Sequence, residues 1–212
     1  MRVQRSGGLT ALVVGLLLLA GCSAVPAEKR AGAPGIGVLA QKNSIAFESV
    51  SISIDDLVPT PVPLSISVAG IVTNMPVEPQ GLDAQGQMAL PKSPFVAGWY
   101  RFASAPGSGA GSTVIASHVD ALGEGLGPFA QLRSVPVGTE VSILDSAGVT
   151  HTYRIIEIEK IDKDVVPWND YFSNAGTPRL VLVTCGGEYD PGYAQGIGRY
   201  EDNYIVTAEK VS

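Results

Sequence analysis

The segment with the clearest potential for chemistry is Leu180-Val-Leu-Val-Thr-Cys-Gly-Gly187. Cys185 closes a short apolar, largely β-branched run, which predicts a buried strand. Because two glycines follow, we expect the strand to end at Cys185 and the chain to turn sharply. A thiol held there, beside backbone open to a ligand, is well placed to attack a bound carbonyl group. The simpler interpretation is a buried cysteine that acts as a small core residue.

His118 is the candidate base for this thiol. An ordinary thiol is only a few per cent ionised at neutral pH, so a nucleophilic cysteine needs a nearby base or cation. His118 follows a second apolar run and can accept the thiol proton and later return one to a leaving amine. The only other histidine, His151, lies inside a long alternating run, whose flanks predict an exposed strand residue without a catalytic role.

Arg199 is the candidate donor for the oxyanion that acyl transfer creates. It is the only arginine after Cys185 and begins the last predicted strand. Its rigid guanidinium suits such a role, although a surface arginine in a turn is an equally ordinary interpretation. The weaker competitor, Arg179, is at the far end of the strand that leads to Cys185.

The first residues resemble a secretory leader. Met1-Arg-Val-Gln-Arg5 is followed by an apolar run from Leu9 to Ala20 and then by Leu19-Ala-Gly-Cys22, which together indicate a signal peptide over residues 1–21. Leu-Ala-Gly-Cys resembles the lipobox of bacterial lipoproteins, so we expect cleavage before Cys22 and lipidation on it. The alternative is an uncleaved signal anchor. Both place the remaining chain on the outer face of the cytoplasmic membrane.

Charge and cysteine content narrow the class of protein further. Loss of Arg2 and Arg5 with the leader changes the formal net charge from −6 to −8. An acidic surface argues against nucleic-acid binding and against polybasic membrane contact. If Cys22 carries lipid, Cys185 has no cysteine partner, which favours a buried or chemically used thiol.

The remaining chain divides into a tether and one domain. Residues 22–63 are rich in Ala, Gly, Pro and Ser, which is typical of an extended tether. Residues 64–212 are long enough for one compact domain, and short strands joined by Gly/Pro turns favour a β-sandwich or barrel. A hairpin turn is predicted at 145–148 and a helical turn at Phe129–Leu132. The predicted strands are Leu64–Val72, Phe95–Phe102, Ser112–Ser117, Glu140–Asp145, Val149–Ile161, Arg179–Thr184 and Asn203–Lys210.

Taken together, these motifs resemble the sortase family, and the Thr-Cys-Gly-Gly form resembles its class F branch. The motifs are Ser117-His-Val-Asp120, Gly127-Pro-Phe-Ala-Gln-Leu132, Val137-Gly-Thr-Glu-Val141, Leu182-Val-Thr-Cys-Gly-Gly187 and Tyr200-x-x-Asn203. They occur in the family's order of His, Cys and Arg and cover roughly Ile66 to Val211. The resemblance implies an all-β fold, a closed, mostly antiparallel barrel of about eight strands with short helical turns.

The resemblance also implies a cysteine transpeptidase that needs no cofactor or metal. Such an enzyme cleaves a Leu-Pro-x-Thr-Gly-like sorting signal of a surface protein after threonine and passes the acyl group to an amine acceptor of the cell wall. His118 would be the acid/base, Cys185 the nucleophile and Arg199 the stabiliser of oxyanion and substrate. The expected substrate contacts are Thr184, Trp168 and Tyr171, although the two aromatic residues also suit a role as loop anchors. We expect a monomer.

Other classes of protein remain open at this stage. Other cell-wall cysteine enzymes are possible, but L,D-transpeptidases resemble Ser-x-Gly-Cys-Arg, and papain-like peptidases place cysteine before histidine. A non-enzymatic acidic lipoprotein barrel that binds a surface ligand is the second alternative. The acidic residues Glu157, Glu159, Asp162 and Asp164 suit Ca²⁺ chemically, but a solvated strand edge is the more ordinary interpretation.

Overall fold

The computed structural model describes residues 60–195 and 198–211. Eight of their strands close into a barrel in the order β1-β2-β3-β4-β9-β10-β8-β7, and β5 and β6 form a separate two-stranded hairpin. All neighbouring barrel pairs are antiparallel except β2/β3 and β4/β9. The predicted closed, mostly antiparallel barrel of about eight strands is therefore confirmed. The strands are β1 (Pro63–Val68), β2 (Val72–Gln80), β3 (Ala97–Tyr100), β4 (Ser112–Ala116), β5 (Asp120–Ala121), β6 (Gly125–Leu126), β7 (Glu140–Asp145), β8 (Thr150–Asp162), β9 (Arg179–Asp190) and β10 (Arg199–Lys210).

Two predicted local features are confirmed. Residues 145–148 turn between β7 and β8, and the Gly148 backbone N–H donates to the Asp145 carbonyl at 3.1 Å. The predicted helical turn is part of a 3-10 helix at Pro128–Ser134, which buries Phe129 and Leu132 against the barrel. A short helix, α1 (Trp168–Tyr171), lies in the connection between β8 and β9.

The single strand predicted over Leu64–Val72 is wrong. The chain turns at Ala69–Ile71, and β2 then runs antiparallel to β1 as far as Pro76 before its last residues, 77–80, pair with β3. Pro76 and Pro79 argue against a strand here, because proline lacks the backbone N–H that donates hydrogen bonds within a sheet. The sequence therefore did not predict β2. Here the barrel accommodates both prolines within β2.

β9 is a central strand with both faces covered, which explains its unbroken apolar sequence. Leu180 and Leu182 belong to the main core inside the barrel. Val181 and Val183 pack in a second cluster on the opposite face, with Tyr171 of α1. We call that opposite face the outer face.

The predicted end of the strand at Cys185 is wrong. β9 continues to Asp190, and its pairing with β10 skips register between Asp202↔Gly186 and Tyr200↔Tyr189. This irregularity is a β-bulge that absorbs the Gly-Gly pair. Gly187 has φ +81°, and a Cβ placed there would meet the Asp202 carboxylate, so the glycine allows the bulge where other residues would be strained.

The leader, Cys22 and nearly all of the predicted tether lie outside the described residues. Within the described part of the chain, no helix is long and apolar enough to span a membrane.

Candidate active site

Parallel pairing of β4 and β9 brings His118 and Cys185 to the same end of the barrel. The register pairs Ala116 with Val183, and the Ser117 N–H continues the ladder by donating to the Val183 carbonyl at 3.1 Å. Ala116 and Val183 both pack in the outer-face cluster. Because strand side chains alternate, the residues two positions further on, His118 and Cys185, are directed to that same face. Cys185 is half-buried and lies outside both core clusters, which disfavours the interpretation as a core thiol.

Ser117 and Thr184 join the two strands just before these residues. The Thr184 hydroxyl donates to the Ser117 carbonyl at 3.0 Å, and the Ser117 hydroxyl donates to the carbonyls of Pro94 and Val96. Both residues are almost fully buried. Thr184, expected as a substrate contact, is therefore a structural link whose side chain is engaged inside the protein, and this link fixes the spacing of the strand ends.

Asp120 acts on His118 through its charge and is itself hydrogen-bonded to Tyr200. The Tyr200 hydroxyl donates to Asp120 Oδ2 at 2.6 Å, and this hydrogen bond is the main reason why the pKa of Tyr200 is raised to about 12. Burial lowers the pKa of His118 below its usual 6.5, and the charge of Asp120 opposes this only in part. His118 is therefore mostly neutral near pH 7, which is the form that accepts a proton.

Lys163 is the charged group in contact with the sulfur. Its Nζ donates to Cys185 Sγ at 3.3 Å. Ile161 of β8 pairs with Asn203 of β10, which pairs with Cys185 of β9, so a long side chain just beyond β8 reaches across β10 to the thiol. The sequence analysis did not predict a role for Lys163, because it is one of several charged residues around the end of β8.

Arg199 is not brought to the sulfur in this structure. Its Nη2 donates to Asp164 Oδ1 at 2.9 Å, and its guanidinium lies 4.6 Å from the centre of the Tyr193 ring. It stands four residues before Asn203, the partner of Cys185, or about 13 Å along the strand. The expected contact between Arg199 and the reacting groups stays a prediction.

The two aromatic residues expected at the substrate differ in exposure. Tyr171 is buried, and its hydroxyl donates to Glu159 Oε2 at 2.6 Å. Burial and this acidic neighbour raise the pKa of Tyr171 above its usual range. Tyr171 thus anchors the segment and does not face an open groove. Trp168 is 37% exposed and stacks edge-on against Phe172, so its ring retains a face toward solvent.

His151 is not the exposed strand residue that its flanks predicted. Its Nε2 lies 2.8 Å from Asp145 Oδ2, and the two side chains are only 12% and 2% exposed. Burial tends to raise the pKa of Asp145, but hydrogen bonds from His151 and from the Val149 and Ala147 backbone outweigh it and hold the pKa below its usual value. The prediction failed because alternation along β8 cannot show that a buried acid of β7, Asp145, lies within hydrogen-bonding distance of the ring.

Three of the four acidic residues weighed as a Ca²⁺ site have other partners. Glu159 accepts from Tyr171, Asp164 from Arg199, and Asp162 Oδ1 from the Asp164 backbone N–H at 2.8 Å. Among the described residues, no group of three or more His, Cys, Asp or Glu side chains is arranged to hold a metal ion.

The family model for the sortase domain matches residues 66–211 of this chain. That span runs from the second half of β1 to the end of β10 and includes both His118 and Cys185. The chain belongs to the sortase family, which supports a cysteine transpeptidase as its class of enzyme. No curated protein sequence matches it significantly.

Solved sortases show the same fold at low sequence identity. A lid mutant of Streptococcus agalactiae sortase C1 has a TM-score of 0.52 at 16% identity, with 79% of each chain covered. Sortase C-1 from Actinomyces oris has a TM-score of 0.52 at 19% identity, covering 69% of this chain and 70% of that one. Sortase A from Corynebacterium diphtheriae has a TM-score of 0.50 at 20% identity, covering 73% of this chain and 62% of that one. This chain thus spans less than two thirds of the Corynebacterium structure.

Proposed function

We propose that this protein is a cell-surface sortase, of the class F type, that cleaves a Leu-Pro-x-Thr-Gly-like sorting signal after threonine and transfers the acyl group to an amine acceptor of the cell wall. The observation that carries the proposal is the alignment of His118 and Cys185 on one face, just beyond the residues that pair β4 with β9, within a sortase barrel. The Thr-Cys-Gly-Gly sequence supports the class, and the lipobox-like leader supports anchoring of a monomer to the outer face of the membrane by Cys22.

The proposed chemistry begins with proton transfer from the Cys185 thiol to neutral His118. The thiolate then attacks the threonine carbonyl carbon, and the tetrahedral intermediate collapses as the carbon–nitrogen bond breaks. His118 returns the proton to the departing amine, which leaves a thioester on Cys185. An acceptor amine attacks the thioester, His118 takes its proton, and the thiolate is released. Arg199 remains a candidate for binding the signal.

The test is mass spectrometry of the protein after incubation with a mixed library of sorting peptides. We expect a mass increase on Cys185 that equals the peptide up to threonine and disappears on addition of an amine. Cys185→Ala should give no adduct, and the retained residues of the adduct identify the signal. Adducts that end at another residue, or no adduct with any peptide, would contradict the proposed substrate.

A further inference from the structure

We infer that Lys163 is the catalytic cation of this site: its ammonium holds the Cys185 thiolate and then the oxyanion that forms beside the sulfur. The inference rests on the proposed function for its acyl-transfer step. It assigns to a residue at the end of β8 a task that the sequence motifs suggest for Arg199.

The contact itself is the first support. Lys163 Nζ lies 3.3 Å from Sγ, within the range of a hydrogen bond to sulfur, and donates to it. A cation beside a thiol favours the thiolate, which is the nucleophilic form. Because the oxyanion is bonded to the same carbon that the sulfur attacks, a donor already at the sulfur is also close to the developing negative charge.

The backbone of Lys163 is held in place before any substrate binds. Its N–H donates to the Glu201 carbonyl at 3.0 Å, which continues the pairing of β8 with β10. Asp162 closes the turn around it, with its carboxylate accepting from the Asp164 N–H and its carbonyl from the Val165 N–H. A preorganised donor needs little rearrangement during the reaction, which is the property that electrostatic catalysis requires.

The neighbouring charges leave Lys163 available to the sulfur. Asp164, the next residue in sequence, is bonded by Arg199 at 2.9 Å, and Asp202 is bonded by Lys160 at 2.8 Å. The other titratable groups named at this end of the barrel are His118 and Asp120, from the segment after β4, and Tyr200 and the exposed Glu201 of β10. The bridge from Arg199 to Asp164 also ties the Lys163 turn to β10, so Arg199 acts as a positioning residue for this cation.

The thiol can be tested without any peptide. The full chain carrying Cys22→Ser has Cys185 as its single cysteine, and its alkylation by iodoacetamide can be timed from about pH 6 to about pH 11, well above the usual thiol pKa of about 8.5. We expect Lys163→Met to slow alkylation at neutral pH by at least about tenfold and to move the profile to higher pH. The plateau at high pH, where the thiol is ionised in both proteins, should stay unchanged. If Lys163→Met disrupted the structure instead of only removing the charge, the plateau rate or the melting temperature would change.

Three variants serve as controls and competitors. Lys163→Arg keeps the charge and should restore most of the neutral-pH rate. Lys210→Met removes a lysine at the far end of β10, where its Nζ donates to the Gly107 carbonyl, and should behave like the parent. If Arg199 is the cation, Arg199→Ala will shift the profile and Lys163→Met will not, and that result overturns the inference.

The inference and the proposed function can fail separately. If the parent forms no peptide adduct but Lys163→Met still shifts the alkylation profile, the assignment of the cation stands and the proposed substrate is wrong. If the parent forms adducts and Lys163→Met alkylates like the parent, the function stands and the cation is another group.

Discussion

The two histidines of this barrel each have an aspartate neighbour, and the two pairs are built differently. His151 bonds directly to Asp145, which is 2% exposed and also accepts two backbone N–H groups. The charge of Asp120 acts on His118 without a direct hydrogen bond in this structure, and the Asp120 carboxylate accepts a hydrogen bond from the Tyr200 hydroxyl. A direct, buried pair stabilises the structure but holds its ring still. A looser neighbour leaves the imidazole nitrogens for proton transfer.

The two histidines also lie at opposite ends of the sheet. His151 is near the start of β8, and Cys185 is in register, through Asn203, with Ile161 near its end. Ten residues of β8 separate these positions, or about 33 Å along the strand. Substitutions at the Cys185 end, which we call the thiol end, should therefore affect chemistry, and substitutions at the His151 end should affect stability.

The largest effect is expected at the nucleophile. Cys185→Ala should abolish adduct formation and peptide cleavage, because the other cysteine of the chain, Cys22, is the proposed site of lipidation. The half-buried thiol is a small part of the packing, so the melting temperature should change little. Retention of more than a few per cent of the parent activity would exclude a thioester mechanism at Cys185.

The next largest effect should separate the two histidines. His118→Ala is expected to lower kcat/KM by about a hundred- to ten-thousandfold, the usual contribution of a general acid/base. Its unfolding free energy should stay close to that of the parent. If His151→Ala proves the more damaging change for kcat/KM, the assignment of the base is wrong.

At the opposite end, His151→Ala should lower the unfolding free energy by about 1–3 kcal/mol, because it removes one hydrogen-bond partner from a buried carboxylate. The lowered pKa of Asp145 means that its contribution to stability is present above the pKa of the unfolded chain and is lost as pH falls through the folded value. Denaturant unfolding at neutral and acid pH measures both effects. A cost that stays the same down to the lowest pH would contradict this account.

The smallest effect is expected at Asp120. Because its charge raises the pKa of His118, Asp120→Asn should lower that pKa further and move the acid limb of kcat/KM to lower pH. The limb of the parent should itself lie below pH 6.5. Glu124→Gln, on the same hairpin, provides a control, since that carboxylate accepts from Ser93. A shift of the limb to higher pH would show that Asp120 acts in some other way.

Much of the fold could be predicted from sequence because its signals are local. Alternation and turn residues located β7, β8 and their hairpin, and the unbroken apolar run located the core of β9. β2 was missed because its prolines argue against a strand, and the end of β9 was misplaced because Gly186-Gly187 reads equally as a turn and as a bulge.

The site was only partly predictable, for a related reason. Cys185 and His118 were proposed as catalytic residues from their residue types and from their positions after apolar runs, and these roles stay predictions. The contact of Lys163 with Cys185 depends on the register of three strands, and the contact of Asp145 with His151 depends on the β7–β8 hairpin. A pattern along the sequence shows neither contact. Asp120 and Tyr200 lay within recognised motifs, but their contact joins residues that are distant in sequence.

The parallel pairing of β4 with β9 makes the enzyme's reactivity a late product of folding. Parallel neighbours cannot be joined by a tight turn, and here β5 to β8 lie between them in the chain. Closing so long a loop is entropically costly and slows folding relative to local contacts. A chain in which β4 and β9 are still unpaired therefore holds Cys185 apart from His118, so we expect the two residues to come together only when the barrel is complete.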